Sequence, residues 1–217
     1  MGGRLIYEAK PVNKQAFYSV MEKLKQIIPL RLYPIGSAGK KEISSDIDIL
    51  VDTGDLMTWT NTKNVSDAKK ALQKIFDQWQ YPNLKSGVSV HVGIPYNDGL
   101  VQVDIMVVDN AELAAPLHTH DYSQDVDMHG GTLHALWADL ANISSNEFIS
   151  YMMSPYKGLV NRNTKEVLSS NKDRIAKIII GPNATESDMR SLTSMFQALK
   201  QYPEKLCHVK DKYFSNF

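Results

Sequence analysis

The chain has 217 residues, enough for one substantial core, or for a catalytic core with a smaller helical appendage. Its hydrophobic and charged fractions, 43% and 22%, are those of an ordinary globular protein, and its single cysteine, Cys207, excludes an internal disulfide. The formal net charge of zero conceals a segregation: residues 1–100 carry 13 Lys and Arg against 10 acids, residues 101–150 none against 8, and residues 151–217 carry 11 against 6. The N-terminus lacks the apolar run of a signal peptide, and no stretch is long enough to span a membrane, so a cytoplasmic address is expected.

The first predicted element is a helix opening at Asn13, a suitable N-cap, with Phe17, Val20, Met21, Leu24, Ile27 and Ile28 at helical spacing and Pro29 as its stop. Arg31 to Ile35 reads as a short strand ending at Gly36-Ser37, and Ile47 to Asp52 as the next strand, closed by a turn at Thr53-Gly54-Asp55. A second helix is predicted from about Ser66 to Trp79, because Ala68, Ala71, Leu72, Ile75, Phe76 and Trp79 form one apolar stripe. A hairpin follows. Val88 to Val92 alternates, Pro95 to Gly99 turns, and Leu100 to Val108 returns with Val101, Val103, Ile105 and Val107 on one face and Gln102, Asp104 and Met106 on the other. Residues 110–130 are polar and irregular, the pattern of a boundary or flap. Beyond them helices are predicted over about Thr132–Ile143, Asn146–Met153, Thr164–Ile180 and Glu186–Gln201, the last with a near capping box at Thr185 and Asp188.

Three aspartates stand out. Asp is depleted in strands, yet Asp46 and Asp48 lie two residues apart in the run Asp46-Ile47-Asp48-Ile49-Leu50-Val51, which puts both on one face. Asp104 sits in the middle of the later apolar strand, 56 residues after Asp48. Carboxylates gathered in this way repel unless a cation lies among them, and Mg²⁺ favours oxygen ligands together with substrate phosphates.

The order helix, strand, Gly-Ser, strand with Asp-x-Asp, helix, strand, strand with a third Asp resembles the DNA polymerase β-type nucleotidyltransferase superfamily over about residues 13–109. The elements that carry it are Ile35, Gly36-Ser37, an eight-residue spacer from Ala38 to Ser45, Asp46-Ile47-Asp48-Ile49, and Val103-Asp104-Ile105. The resemblance implies an α/β (α+β) fold: a small mixed β-sheet with helices on one face, followed by a helical C-terminal region. It divides the chain into a nucleotidyltransferase core, 1–112, and a mostly helical region, 113–217, on the acceptor and nucleotide side. It assigns Asp46, Asp48 and Asp104 to catalysis and to two Mg²⁺ or Mn²⁺ ions, and Gly36 and Ser37 to the triphosphate of an NTP such as ATP. The implied reaction moves a nucleoside monophosphate to a hydroxyl and releases pyrophosphate.

Other residues have competing readings. Gly36 to Lys41 superficially resembles a phosphate loop but has the wrong glycine spacing and no Ser or Thr after Lys40, so Lys40 and Lys41 are either mobile counter-charges for the triphosphate or solvated loop lysines. His118, His120 and His129, mixed with Asp121, Asp125 and Asp127, match no standard zinc spacing and read as a polar flap. His134 reads as a packing residue on its helix. Tyr151, Tyr156, Lys157, Arg162 and Lys165 are either nucleotide or acceptor contacts or ordinary packing, and Lys200, Lys205, His208, Lys210 and Lys212 form a basic tail that slightly favours a nucleic-acid acceptor. A tRNA-like 3′ end is the favoured acceptor, with a protein hydroxyl or a small molecule as alternatives. A non-catalytic nucleotide-sensing module is the alternative from another class.

Overall fold

The computed structural model describes residues 5–123, 130–215 and 217. The protein is α+β and divides into two compact units, Met1–Ala115 and Pro116–Phe217. No helix among the described residues is long and apolar enough to cross a membrane.

The first unit opens with β1 (Val12–Asn13) and α1 (Lys14–Ile27), where the Asn13 side chain accepts from the Ala16 N–H as the N-cap. Then come β2 (Tyr33–Ile35), β3 (Ile43–Ser44) and β4 (Ile47–Asp52). The turn expected at Thr53-Gly54-Asp55 is instead the start of α2 (Thr53–Trp59), because the Asp52 carboxylate caps it by accepting from the N–H groups of Gly54 and Asp55. Next are α3 (Val65–Gln78), β5 (Asn83–Ser86), β6 (Ser89–Tyr96), β7 (Gly99–Val108) and the short α4 (Ala111–Ala114). β5 is a four-residue edge strand with one apolar residue, Leu84, too short to carry an alternating signal.

The main sheet has the order β2-β4-β7-β6-β5, with β4 and β7 parallel and the other pairs antiparallel. One face carries Ile47, Ile49, Val51, Val90, Val92, Ile94, Val101, Val103, Ile105 and Val107, all buried with Val20 and Leu24 of α1 and Ala68, Leu72 and Phe76 of α3. Both long helices therefore lie on that face, as expected. The period-2 alternation sends Asp48, Gln102, Asp104 and His91 to the opposite face.

The second unit comprises α5 (Gly130–Ile143), β8 (Tyr151–Ser154), β9 (Gly158–Asn161), β10 (Val167–Ser169), α6 (Lys172–Ile179), α7 (Leu192–Leu199) and α8 (Pro203–Tyr213). A three-stranded antiparallel sheet, β10-β9-β8, thus interrupts the helices that the sequence pattern predicts. The expected helix over Asn146–Met153 does not form, because Asn146 Oδ1 accepts from the N–H groups of Phe148 and Ile149 in a tight local turn. The helix expected from Thr164 begins only at Lys172, where Asn171 caps it through the Arg174 N–H. The Thr185–Asp188 pair does bond, but it closes a single 3₁₀ turn at Glu186–Met189, after which Ser191 caps α7. Trp137 is fully buried at the centre of this unit, among Leu133, Leu140, Ile175, Met195 and Phe214.

Lys205 of the basic tail has a structural partner set. Its Nζ donates to the carbonyls of Ile178 and Ile179, at the C-terminus of α6, and to Ser144 Oγ, and burial holds its pKa below the ordinary lysine value. Lys205→Met strips those carbonyls of a charged donor and is expected to destabilise the protein by about 1–3 kcal/mol in a urea melt. An unchanged midpoint would contradict this capping role.

Candidate functional site

β4 and β7 run side by side in parallel, and the register sets Asp48 directly opposite Asp104. Asp46 lies one residue before β4, on the same face as Asp48. Asp48 in turn faces the turn after β2. Gly36 has φ of +69°, a left-handed conformation that favours glycine, and a Cβ built there would lie 2.5 Å from Asp48 Oδ2. The carboxylate therefore packs against bare backbone.

The turn itself is tightly held. The Ser37 carbonyl accepts from the N–H groups of Lys40 and Lys41, and Ser37 Oγ donates to Ser44 Oγ at 3.0 Å. Gly39, also left-handed, leaves room for the Phe17 ring. Val12 pairs with Ser44, which ties the turn to the N-terminal segment. Lys40 is exposed as a residue, yet crowding around it lowers its pKa through desolvation.

Two of the three acids have carboxyls raised above the ordinary range. Burial, then repulsion from Asp46 and Asp104, pushes the Asp48 carboxyl up from 3.8 to about 7. Burial also raises Asp46, opposed by its 2.8 Å hydrogen bond from Ser45 Oγ and by the nearby His91. These groups suit a hard divalent cation by donor chemistry and by their mutual repulsion. Among the described residues no group of three or more His, Cys, Asp or Glu side chains is arranged so that it could hold a metal ion.

Two functional candidates escape a reading of the sequence. His91 of β6 stands opposite Asp104 in the ladder, and its Nδ1 lies 2.7 Å from Asp104 Oδ1. Gln102 Nε2 donates to the same oxygen at 2.9 Å, while Gln102 Oε1 accepts from the N–H groups of Leu5 and Ile6. The signal was present: both are polar residues at positions where the alternating pattern points away from the apolar core.

The remaining candidates gather elsewhere. His118, His120 and His134 cluster in the second unit, with ring centroids 4.7 Å apart for His118 and His134 and 5.3 Å for His120 and His134, next to Trp137. His129, Asp125 and Asp127 lie outside the described residues, while Asp121 accepts from the N–H and hydroxyl of Ser123. The Arg162 guanidinium is spent on Asn142 Oδ1 and the Tyr151 carbonyl, and Tyr156 packs its ring on His118. Lys212 pairs with Asp139 at 2.7 Å.

The His134 ring is shielded enough that burial, followed by repulsion from His118 and Lys172, lowers its pKa from 6.5 to about 3. The unfolded chain then takes up this proton first, so the ring's contribution is complete above about pH 6.5 and is lost as the pH falls below it. The expected result is a melting temperature that drops between pH 7 and pH 5, read in an Asp48→Asn background where the raised carboxyl cannot act with the opposite sign. A flat profile there, or an equal drop in Asp48→Asn/His134→Leu, would contradict it.

No family model matches the chain, and no curated protein matches it. A solved structure reported as "Structural Basis for the Activity of a Cytoplasmic RNA Terminal U-transferase" is similar at 17% identity, with a TM-score of 0.31, over 67% of this chain and 44% of that one. The chain thus spans less than half the length of that structure, and a likeness so distant establishes neither a family nor an activity.

Proposed function

We propose that this protein is a divalent-metal-dependent nucleotidyltransferase that moves a nucleoside monophosphate from an NTP to a hydroxyl acceptor, with a nucleic-acid 3′ end favoured. The observation that carries this reading is the meeting of Asp48 and Asp104 in adjacent parallel strands, with Asp46 beside them and the glycine turn packed on Asp48. Asp46, Asp48 and Asp104 are the residues to hold Mg²⁺ or Mn²⁺. Such ions would supply charge neutralisation for an in-line displacement at the α-phosphate. The chain's own contribution is placement. The Gly36-Ser37 turn would present backbone N–H groups to triphosphate oxygens, the Ser37 hydroxyl would reach them by turning away from Ser44, and Lys40 and Lys41 sit on the same turn. The first unit would carry the chemistry and the second the acceptor or nucleotide side.

Incubation with each α-labelled NTP, Mg²⁺ or Mn²⁺, and total cell extract separates the acceptors. Label in RNA supports the favoured reading. Label confined to protein or to small molecules would move the acceptor assignment, and NTP binding without transfer to any pool would leave a nucleotide-sensing module.

A further inference from the structure

Asp104 differs from the other two acids in how it is held. Two donors from two directions converge on a single oxygen, Oδ1: His91 Nδ1 from the neighbouring strand and Gln102 Nε2 from two residues away on its own strand. All three residues are buried, with 7%, 1% and 8% of the residue surface exposed for His91, Gln102 and Asp104. A carboxylate only accepts, so the His91–Asp104 hydrogen bond takes the imidazole tautomer with its proton on Nδ1. The orientation of the Gln102 amide is settled too, since its oxygen accepts from both Leu5 and Ile6 N–H and its NH₂ must therefore face Asp104. The chain around Gln102 is closed as well. Ala9 bridges to Leu100, the Lys10 N–H donates to the Leu100 carbonyl, and Gly93 admits Ile6 where a Cβ would meet it at 2.9 Å.

We propose that His91 and Gln102 are positioning residues that fix the Asp104 carboxylate through Oδ1, with the segment from Leu5 to Lys10 serving as the strap that fixes Gln102. The inference rests on the metal-dependent reading above. Two donors satisfy a buried carboxylate oxygen in any role, and here the same two bonds also pin the carboxylate, so that it has lost the rotation that would otherwise be frozen on binding. The strap also joins the two halves of the site, since the same N-terminal segment continues to Val12 and its pairing with Ser44 beside the glycine turn.

The test is Mn²⁺ affinity of the full-length protein by electron paramagnetic resonance, with folding followed by circular dichroism. His91→Phe and Gln102→Met are each expected to weaken Mn²⁺ binding by roughly 10- to 100-fold, the usual effect of removing an outer partner of a metal ligand. His91→Asn, which can still donate to Oδ1, should recover most of the loss. In an Asp104→Asn background His91→Phe should add nothing further. Leu72→Ala, which destabilises the core on the opposite face of the sheet, should leave affinity unchanged. Wild-type binding that both variants retain would overturn this assignment alone. Failure of both variants to fold would assign the network to stability and overturn it equally, whereas a wild-type protein that takes no Mn²⁺ would overturn the metal reading and this one with it.

Discussion

Asp48→Asn is expected to reduce pyrophosphate release by about 10²- to 10³-fold, the scale on which removal of one preorganised charge contact acts in a transition state. The same substitution should stabilise the metal-free protein. In the native state Asp48 has a carboxyl pushed up to about 7 by burial and by its two acidic neighbours. The unfolded chain has an ordinary carboxyl near 3.8. Between those values the unfolded chain holds fewer protons, so native stability is complete at the acid end and is lost as the pH rises toward 7. In chelator at pH 8 wild type should therefore melt lower than Asp48→Asn, and Mg²⁺ should raise the wild-type melting temperature and not that of the variant. A variant that melted lower than wild type in chelator would show that Asp48 is held by favourable partners rather than by strain awaiting a cation. Activity and stability should therefore move in opposite directions at Asp48.

The second large effect is at Gly36. Gly36→Ala imposes a side chain on a left-handed residue, at a cost of about 1–2 kcal/mol, and drives a methyl into Asp48 Oδ2. Gly87 provides the comparison, because it is also left-handed, with φ of +53°, and has nothing within 4 Å of its Cβ position. Gly87→Ala should show the conformational cost alone, with Mn²⁺ binding and turnover intact. Gly36→Ala should show a similar or larger loss of stability together with loss of most turnover, because Asp48 must swing away. Equal behaviour of the two variants in both assays would mean that the packing of Asp48 on the turn has no functional consequence.

Much of the first unit can be read from its residues because a one-sided sheet obliges the sequence to alternate. The positions of Asp48 and Asp104 on the polar face follow from that period, and so do the helices opposite. The pairing of His91 with Asp104 does not, because it depends on hairpin register. The sequence admits a turn over Pro95 to Gly99, which would put Val90 opposite Asp104. The structure closes the loop at Asn97-Asp98 alone, with Asn97 left-handed, and brings His91 there instead. β5 was illegible for a different reason, since four residues with a single apolar side chain, Leu84, are too few to show a period.

The second unit was less legible because local side-chain bonding competes with helical periodicity. Asn146, Asn171 and Ser191 each bind nearby backbone N–H groups, and so convert long helical patterns into a turn, a late helix start and a fresh helix. The basic tail shows the matching limit of composition. Lys205 and Lys212 contribute to a positive balance in the sequence, yet one caps a helix and the other pairs with Asp139.

The most direct test follows both ends of the triphosphate. Each NTP, labelled at the α- or γ-phosphate, is incubated with the protein, Mg²⁺ and total RNA, and the products are resolved. Nucleotidyl transfer predicts α-label joined to an acceptor and γ-label released as pyrophosphate in equal amount, with both signals lost in Asp48→Asn. Release of γ-label as inorganic phosphate, or bound NTP that never turns over with any acceptor pool, would contradict it.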